Sequence, residues 1–127
     1  MIKLVNLEKL KAHERVGKNR LAEAKKIISS NRFFTKPIVV EKEHLIILDG
    51  HHRAEALKDL GYRKIPAYLV DYADKKIKVS SRRRGRIINK NLIIKRALSG
   101  QLYPFRTSRH LILNRPKNFK IKLSKLK

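Results

Sequence analysis

The amino-acid sequence predicts one compact domain of the α/β or α+β class. The chain has 127 residues, of which 42% are hydrophobic, and this suffices for one packed core but not for two. Ile38–Val40 and Leu45–Leu48 are apolar throughout, as strands buried on both faces are. A segment with helical spacing follows them over residues 51–60, so strands and helices alternate along the chain.

The helices over residues 17–30 and 51–60 are predicted from the spacing of their apolar residues. Over residues 51–60 the buried face consists of Ala54, Leu57 and Leu60, and Gly61 is a natural left-handed cap. In chain order, the predicted elements are a short strand and turn over 1–10, a helix over 17–30 with Leu21, Ala24 and Ile28 on one face, strands over 38–40 and 45–48 joined by a turn over 41–44, a helix over 51–60, a strand over 65–70, a short edge strand over 76–79, a helix over 87–98 and a strand over 110–113.

The end of the chain is set apart by its charge. After Pro116, Lys alternates with Phe119, Ile121, Leu123 and Leu126, which fits either a strand against the core or a loose basic arm. We therefore expect a domain over residues 1–113 and a basic C-terminal tail over 114–127.

The composition excludes some classes of protein and favours polyanionic partners. The 33 Lys and Arg residues against 10 acidic residues give a formal net charge of +23. One expectation is non-specific contact with nucleic acid. The other is that these charges are simply solvated, in a composition that suits a thermophile. The absence of cysteine excludes disulfides and thiolate metal sites. No apolar run approaches the roughly 18 residues that span a membrane, and we expect a cytoplasmic protein of undetermined oligomeric state.

The run Asp49-Gly50-His51-His52-Arg53, between an apolar strand and a helix, has the properties of a phosphate-binding turn. A helix N-terminus offers free backbone N–H groups and the positive end of the helix dipole. Gly50 has no side chain, so the backbone can approach a ligand closely. A cation such as Arg53 is unfavourable at a helix N-terminus, and a bound anion would compensate for its charge. Asp49 either caps the helix or holds a divalent cation.

The segment from Leu45 to Ala67, with its Gly-x-x-Arg turn, resembles the nucleotide-binding turn of the ParB/sulfiredoxin superfamily. Within that superfamily the chain is most similar to archaeal free L-serine kinases of the SerK type, over about residues 10–113. His13-Glu14-Arg15-Val16 resembles their His-Glu-x-Val segment, and Leu98-Ser99-Gly100 with Thr107-Ser108-Arg109-His110 resembles their serine-binding segment. The family has a small mixed sheet flanked by helices.

The resemblance implies a kinase that transfers phosphate from ATP or ADP to free L-serine, with Mg²⁺, to supply O-phosphoserine for cysteine biosynthesis. Glu14 would be the catalytic base, and Asp49 would organise Mg²⁺ or orient the nucleophile. The resemblance further assigns phosphate binding to Asp49, Gly50, His51, His52 and Arg53, and serine binding to Val16, His52, Thr107, Ser108, Arg109 and His110, with Arg109 or His110 meeting the carboxylate.

The chain departs from its relatives in one segment, and its charge leaves a second function open. Better-known relatives have additional structure before the third helix, some with a tryptophan, where this chain has the Arg82–Arg86 loop and no Trp. The high positive charge favours a ParB-like, nucleotide-dependent DNA-binding protein instead. Against this alternative, about fourteen residues follow Leu113, too few for the helix-turn-helix domain that such proteins carry. Two-metal nuclease chemistry is disfavoured because the carboxylates are few and scattered.

Overall fold

The computed structural model describes residues 2–127 and contains eight strands and three α-helices within that range. In chain order these elements are β1 (Ile2–Asn6), α1 (Lys18–Ser29), β2 (Phe33–Phe34), β3 (Ile38–Glu41), β4 (Ile46–Asp49), α2 (His51–Asp59), β5 (Lys64–Val70), β6 (Lys78–Ser81), α3 (Lys90–Ser99), β7 (Ser108–Leu111) and β8 (Ile121–Lys122), with 3₁₀ turns at Leu7–Lys9 and Leu123–Leu126.

The central sheet is mixed and has the strand order β1-β5-β3-β4. β3 runs parallel to β5, and the other two pairs are antiparallel. The β3–β4 pairing shifts register between Val39 and Val40, and Asp49, at the end of β4, lies opposite Val39. The first turn of α2 therefore starts beside the beginning of β3.

Both faces of this sheet are covered, as the apolar strands predict. On one face Ile38 and Val40 pack with residues of α1 and α2 in a cluster that includes Ile28 and Leu57. On the other face Val39 packs in a second cluster with residues of α3. Alternate residues of one strand thus enter different clusters, which confirms the predicted α/β fold with a mixed sheet flanked by helices.

Two predicted helix details are wrong. α3 begins at Lys90 rather than at residue 87, because Asn89 is its N-cap and accepts a 2.9 Å hydrogen bond from the N–H of Leu92 on its side-chain oxygen. Ile87 consequently lies outside the helix and is 79% exposed. Leu60, predicted to be buried, is the C-cap of α2 and is 37% exposed.

The basic tail is packed against the domain. Its strand β8 pairs with β2, a short strand that the sequence did not predict. Leu123 and Leu126 are buried in the same cluster as residues of α1 and α2. Of the two alternatives for this segment, the structure has the strand against the core. Within residues 2–127, no helix is long and apolar enough to cross a bilayer.

Candidate active site

The turn predicted to bind phosphate depends on Gly50 for two physical reasons. Its φ angle is +112°, in the left-handed region, and a Cβ at this position would lie 2.2 Å from Cγ2 of Ile38. Gly50 is also the N-cap of α2, and no described side chain caps this helix. The N–H groups of the first turn therefore have no side-chain acceptor among the described residues, as in helix N-termini that bind anions.

Asp49 is not the cap that one sequence interpretation allowed. Its Oδ2 atom lies 2.8 Å from Nη1 of Arg115 and 4.0 Å from Nη2 of Arg53, and its side chain is 40% exposed. Arg115 comes from the C-terminal segment, so the tail contributes directly to the edge of the turn.

His51 and His52 attach the turn to the segment that contains Glu14. Nε2 of His51 accepts a hydrogen bond from the N–H of His13 at 3.2 Å, and Nε2 of His52 accepts one from the N–H of Gly17 at 2.9 Å. An accepting nitrogen carries no proton, so each neutral ring has its hydrogen on Nδ1. Burial lowers the pKa of both histidines, which agrees with neutral rings. These two Nε2 atoms hold the backbone and are not available to a phosphate.

Arg53 is mostly buried beside the turn. Its Nη2 atom donates a long hydrogen bond of 3.4 Å to the carbonyl of Pro37, and its buried Nε–H has no acceptor among the described residues. A buried donor without an acceptor is costly, and an anion at the turn would compensate for it.

Glu14 is buried, and its carboxylate accepts hydrogen bonds on both oxygens. The N–H of Arg106 donates to Oε1 at 3.0 Å, and Ser108 donates to Oε2 from its N–H at 2.8 Å and from its hydroxyl at 2.5 Å. Burial by itself raises the pKa of Glu14, but the hydrogen bonds from His13 and Ser108 outweigh burial and lower the pKa to about 2. Glu14 is therefore ionised at neutral pH.

His13 completes a buried chain of polar atoms behind Glu14. Its ring is fully buried, with Nδ1 2.8 Å from the carbonyl oxygen of Ile47 and Nε2 2.8 Å from Oγ of Ser108. His13, which belongs to the same motif as Glu14, thus contacts Ser108, and Ser108 holds the Glu14 carboxylate. His13 was part of the predicted motif but was not predicted as a site residue.

Strand β7 divides the predicted serine-binding residues between its two faces. Ser108 and His110 are buried, whereas Arg109 is exposed on the opposite face. Of the two residues predicted to meet the serine carboxylate, Arg109 or His110, only His110 thus lies on the same face as Ser108. Nε2 of His110 lies 2.8 Å from the hydroxyl of Tyr72, and burial lowers the pKa of His110 to about 3. Thr107 is fully buried, and its hydroxyl donates to the carbonyl of Pro104 at 2.6 Å.

A cavity of about 280 Å³ joins the turn to Glu14. Of the predicted residues it is lined by Glu14, Asp49, Gly50, His51, His52, Arg53 and Ser108. Val16 lies instead beside a second cavity of about 440 Å³, which Glu14 and His51 also line. Three arginines of the first cavity were not predicted as site residues, namely Arg20, Arg82 and Arg106. The sequence offered one signal for them, the Arg82–Arg86 run.

Comparison with known proteins finds L-serine kinases among the sequence relatives. The ATP-dependent L-serine kinases of Staphylothermus marinus and Desulfurococcus mucosus are 35% and 39% identical to the chain over 82 residues, which are 61% of this chain and 32% of each relative. The match thus spans about a third of the length of these curated relatives. No protein-family model matches the chain.

The solved structures establish the fold. A free serine kinase in complex with AMP superposes with a TM-score of 0.91 at 16% identity, over 98% of this chain and 93% of that one. The chain has the fold of a free serine kinase. The fold resemblance expected from the three motifs is therefore confirmed, and the relatives matched in sequence have names that agree with it.

Proposed function

We propose that the protein is a phosphotransferase that transfers a phosphoryl group from ATP or ADP to the hydroxyl of free L-serine, giving O-phospho-L-serine. The observation that carries this proposal is the shared cavity, which has an ionised carboxylate, Glu14, on one wall and an uncapped helix N-terminus on another. Phosphoryl transfer requires alignment and charge neutralisation more than covalent catalysis. The names of the curated relatives support serine as the acceptor.

The nucleotide would be held by backbone more than by side chains. The N–H groups of the α2 first turn would bind its phosphates, with the unsatisfied Nε–H of Arg53 as a further donor. A neighbouring cavity of about 440 Å³ shares Ala24, Ile27 and Arg53 with the phosphate cavity and is also lined by Phe33 and Phe34. Its apolar walls suit a nucleotide base, so one ligand would extend through both cavities.

Asp49 fits the requirements of Mg²⁺. Magnesium in kinase sites is bound by one or two carboxylates together with phosphate oxygens, and it neutralises charge on the phosphates. Asp49 is half-exposed on the cavity that holds the turn, which suits such a ligand. Its contact with Arg115 would have to open or shift when the ion binds, because Oδ2 already faces a guanidinium at 2.8 Å.

Glu14 would accept the hydroxyl proton of serine. Its oxygens are fixed by three donors from residues 106 and 108, so the carboxylate needs no reorganisation when the acceptor arrives. A carboxylate with a pKa of about 2 is a weak base, which suits proton transfer late in a reaction whose transition state is largely dissociative.

The test is direct conversion of L-serine. Purified protein with L-serine, Mg²⁺ and either ATP or ADP should yield O-phosphoserine, detected by ³¹P NMR or mass spectrometry. Glu14→Gln should lower the rate by about 10²- to 10⁴-fold, the usual contribution of general base catalysis. Nucleotide affinity, measured by calorimetry, should change little.

Glu8→Gln is the matched control, because Glu8 is an exposed carboxylate of the N-terminal 3₁₀ turn. It should retain the wild-type rate. Wild-type protein that forms no phosphoserine with either nucleotide, although it is folded and binds nucleotide, would overturn the proposed function.

A further inference from the structure

Four arginines line the phosphate cavity, and the structure separates them into two pairs. Arg53 belongs to the phosphate-binding turn, and Arg20 lies in the first turn of α1, close to His52, whose pKa it helps to lower. Arg82 and Arg106 are connected to Glu14 by hydrogen bonds: the N–H of Arg106 donates to Glu14, and Arg82 donates to Ser108, which itself donates to Glu14. Two arginines of the cavity thus belong to the turn and its neighbourhood, and two are linked to Glu14.

Arg82 is the member of the second pair whose side chain is anchored. Its N–H donates to the carbonyl of Thr107 at 2.8 Å, and its Nε–H donates to the carbonyl of Ser108 at 3.1 Å. No described residue accepts a hydrogen bond from its Nη1 or Nη2 atom. A guanidinium held by Nε with both Nη atoms free is suited to bind a carboxylate through two parallel hydrogen bonds.

Ser108 fixes the position of Arg82 relative to the base. Its N–H and hydroxyl contact Oε2 of Glu14, and its carbonyl oxygen contacts Nε of Arg82. In an α-amino acid that carries its hydroxyl on the β-carbon, the hydroxyl and the carboxylate are separated by only two carbon atoms. The proposed base and the guanidinium both contact Ser108, so they lie near each other, as this short separation requires.

We propose that Arg82 binds the α-carboxylate of the acceptor amino acid and so selects a free amino acid over other alcohols. This inference rests on the proposed function and assigns to Arg82 the contact that Arg109 cannot make from the outer face of β7. Its neighbour Arg83 has a different environment: it donates to the carbonyl of Phe105 at 2.7 Å and stacks on that ring.

The experiment compares L-serine with L-serinamide, in which a neutral amide replaces the carboxylate. In wild-type protein, L-serine should be the better acceptor. Arg82→Ala should raise the KM for L-serine by about 10- to 100-fold, as expected for the loss of hydrogen bonds to a charged group, with a much smaller change for L-serinamide. Arg82→Lys, which keeps the charge but not the two-pronged geometry, should give a smaller increase.

Arg84→Ala is the matched control, since Arg84 is exposed in the same loop and lines no part of the phosphate cavity. The KM for nucleotide should be unchanged in all three variants, and thermal melting should show that they are folded.

Three results would overturn the assignment: an unchanged KM for L-serine in Arg82→Ala, an equal loss for both acceptors, or a rise in the KM for nucleotide alone. The last result would indicate that Arg82 contacts the phosphates of the nucleotide instead of the amino acid. Absence of phosphoserine formation by wild-type protein would instead remove the proposed function itself, so the two failures are distinguishable.

Discussion

The turn after β4 and the strand β7 both line one cavity, but the turn contributes five consecutive residues and the strand contributes one. In the turn, Asp49 to Arg53 all line the cavity, because the chain changes direction at Gly50 and enters a helix. In β7, Ser108 lines the cavity and Arg109 does not, because successive side chains of a strand point to opposite faces.

The two regions also differ in how they are held. The turn is fixed by its own backbone conformation and by two neutral histidines that accept backbone N–H groups. The β7 region is fixed by an ionised carboxylate, Glu14, that accepts from Ser108 and Arg106. One region therefore depends on steric fit and the other on charge, and substitutions and pH should affect them separately.

The largest effect is expected from Gly50→Ala in the turn. The left-handed φ angle and the contact with Ile38 together should lower the free energy of unfolding by roughly 2–5 kcal/mol. Urea denaturation measures this loss. Gly61→Ala is the control, because Gly61 also has a positive φ, +90°, but a Cβ at that position would have no atom within 4 Å, so about 1 kcal/mol should be lost. Equal losses in the two variants would contradict steric fit at Ile38.

Acid should weaken the contacts of the neutral histidines and those of Glu14 starting from different pH values. The pKa values of His51, His52 and His110 are lowered in the folded protein, so their contribution is full above about pH 6.5 and is lost as the pH falls below it. The pKa of Glu14 is lowered from 4.5 to about 2, so its contribution of about 3 kcal/mol is full above pH 4.5 and is lost between there and about pH 2.

Urea midpoints measured at several pH values between 7 and 3 separate these losses. Glu14→Gln should make the loss below pH 4.5 smaller, leaving only the part due to the histidines, since the pKa of His110 is lowered to about 3. It should keep the loss between pH 6.5 and 4.5, whereas Glu8→Gln should resemble wild type. A Glu14→Gln protein as acid-sensitive below pH 4.5 as the wild type would show that Glu14 is not the group responsible.

The smallest effects distinguish neighbouring residues of β7. Ser108→Ala removes the hydroxyl between Glu14 and His13 and should cost roughly 1–3 kcal/mol of stability and about tenfold in the rate of serine phosphorylation. Arg109→Ala, on the outer face, should change stability by less than about 0.5 kcal/mol and leave the rate unchanged. Denaturation and steady-state kinetics measure both. A strong loss of serine binding in Arg109→Ala would contradict the observed orientation of β7.

The sequence by itself determined most of the elements and the glycine turn that leads into α2. Apolar runs predicted β3 and β4 because they are buried on both faces, and Gly50 followed by His51-His52-Arg53 indicated a helix N-terminus for an anion. These signals are local, since they depend on residues adjacent along the chain. Asn89 was a local signal as well, and it would have placed the start of α3 correctly.

The tertiary structure alone decided which distant groups meet. Glu14 and Ser108 are 94 residues apart, and their contact depends on the position of β7 beside the 13–17 segment. The outward orientation of Arg109 depends on strand register, and the place of Arg82 depends on the pairing of β6 with β7. Residue spacing contains no information about such contacts, because packing of the whole chain sets them. The glycine turn was therefore predictable from five residues, whereas the meeting of Glu14, Ser108 and Arg82 required the fold.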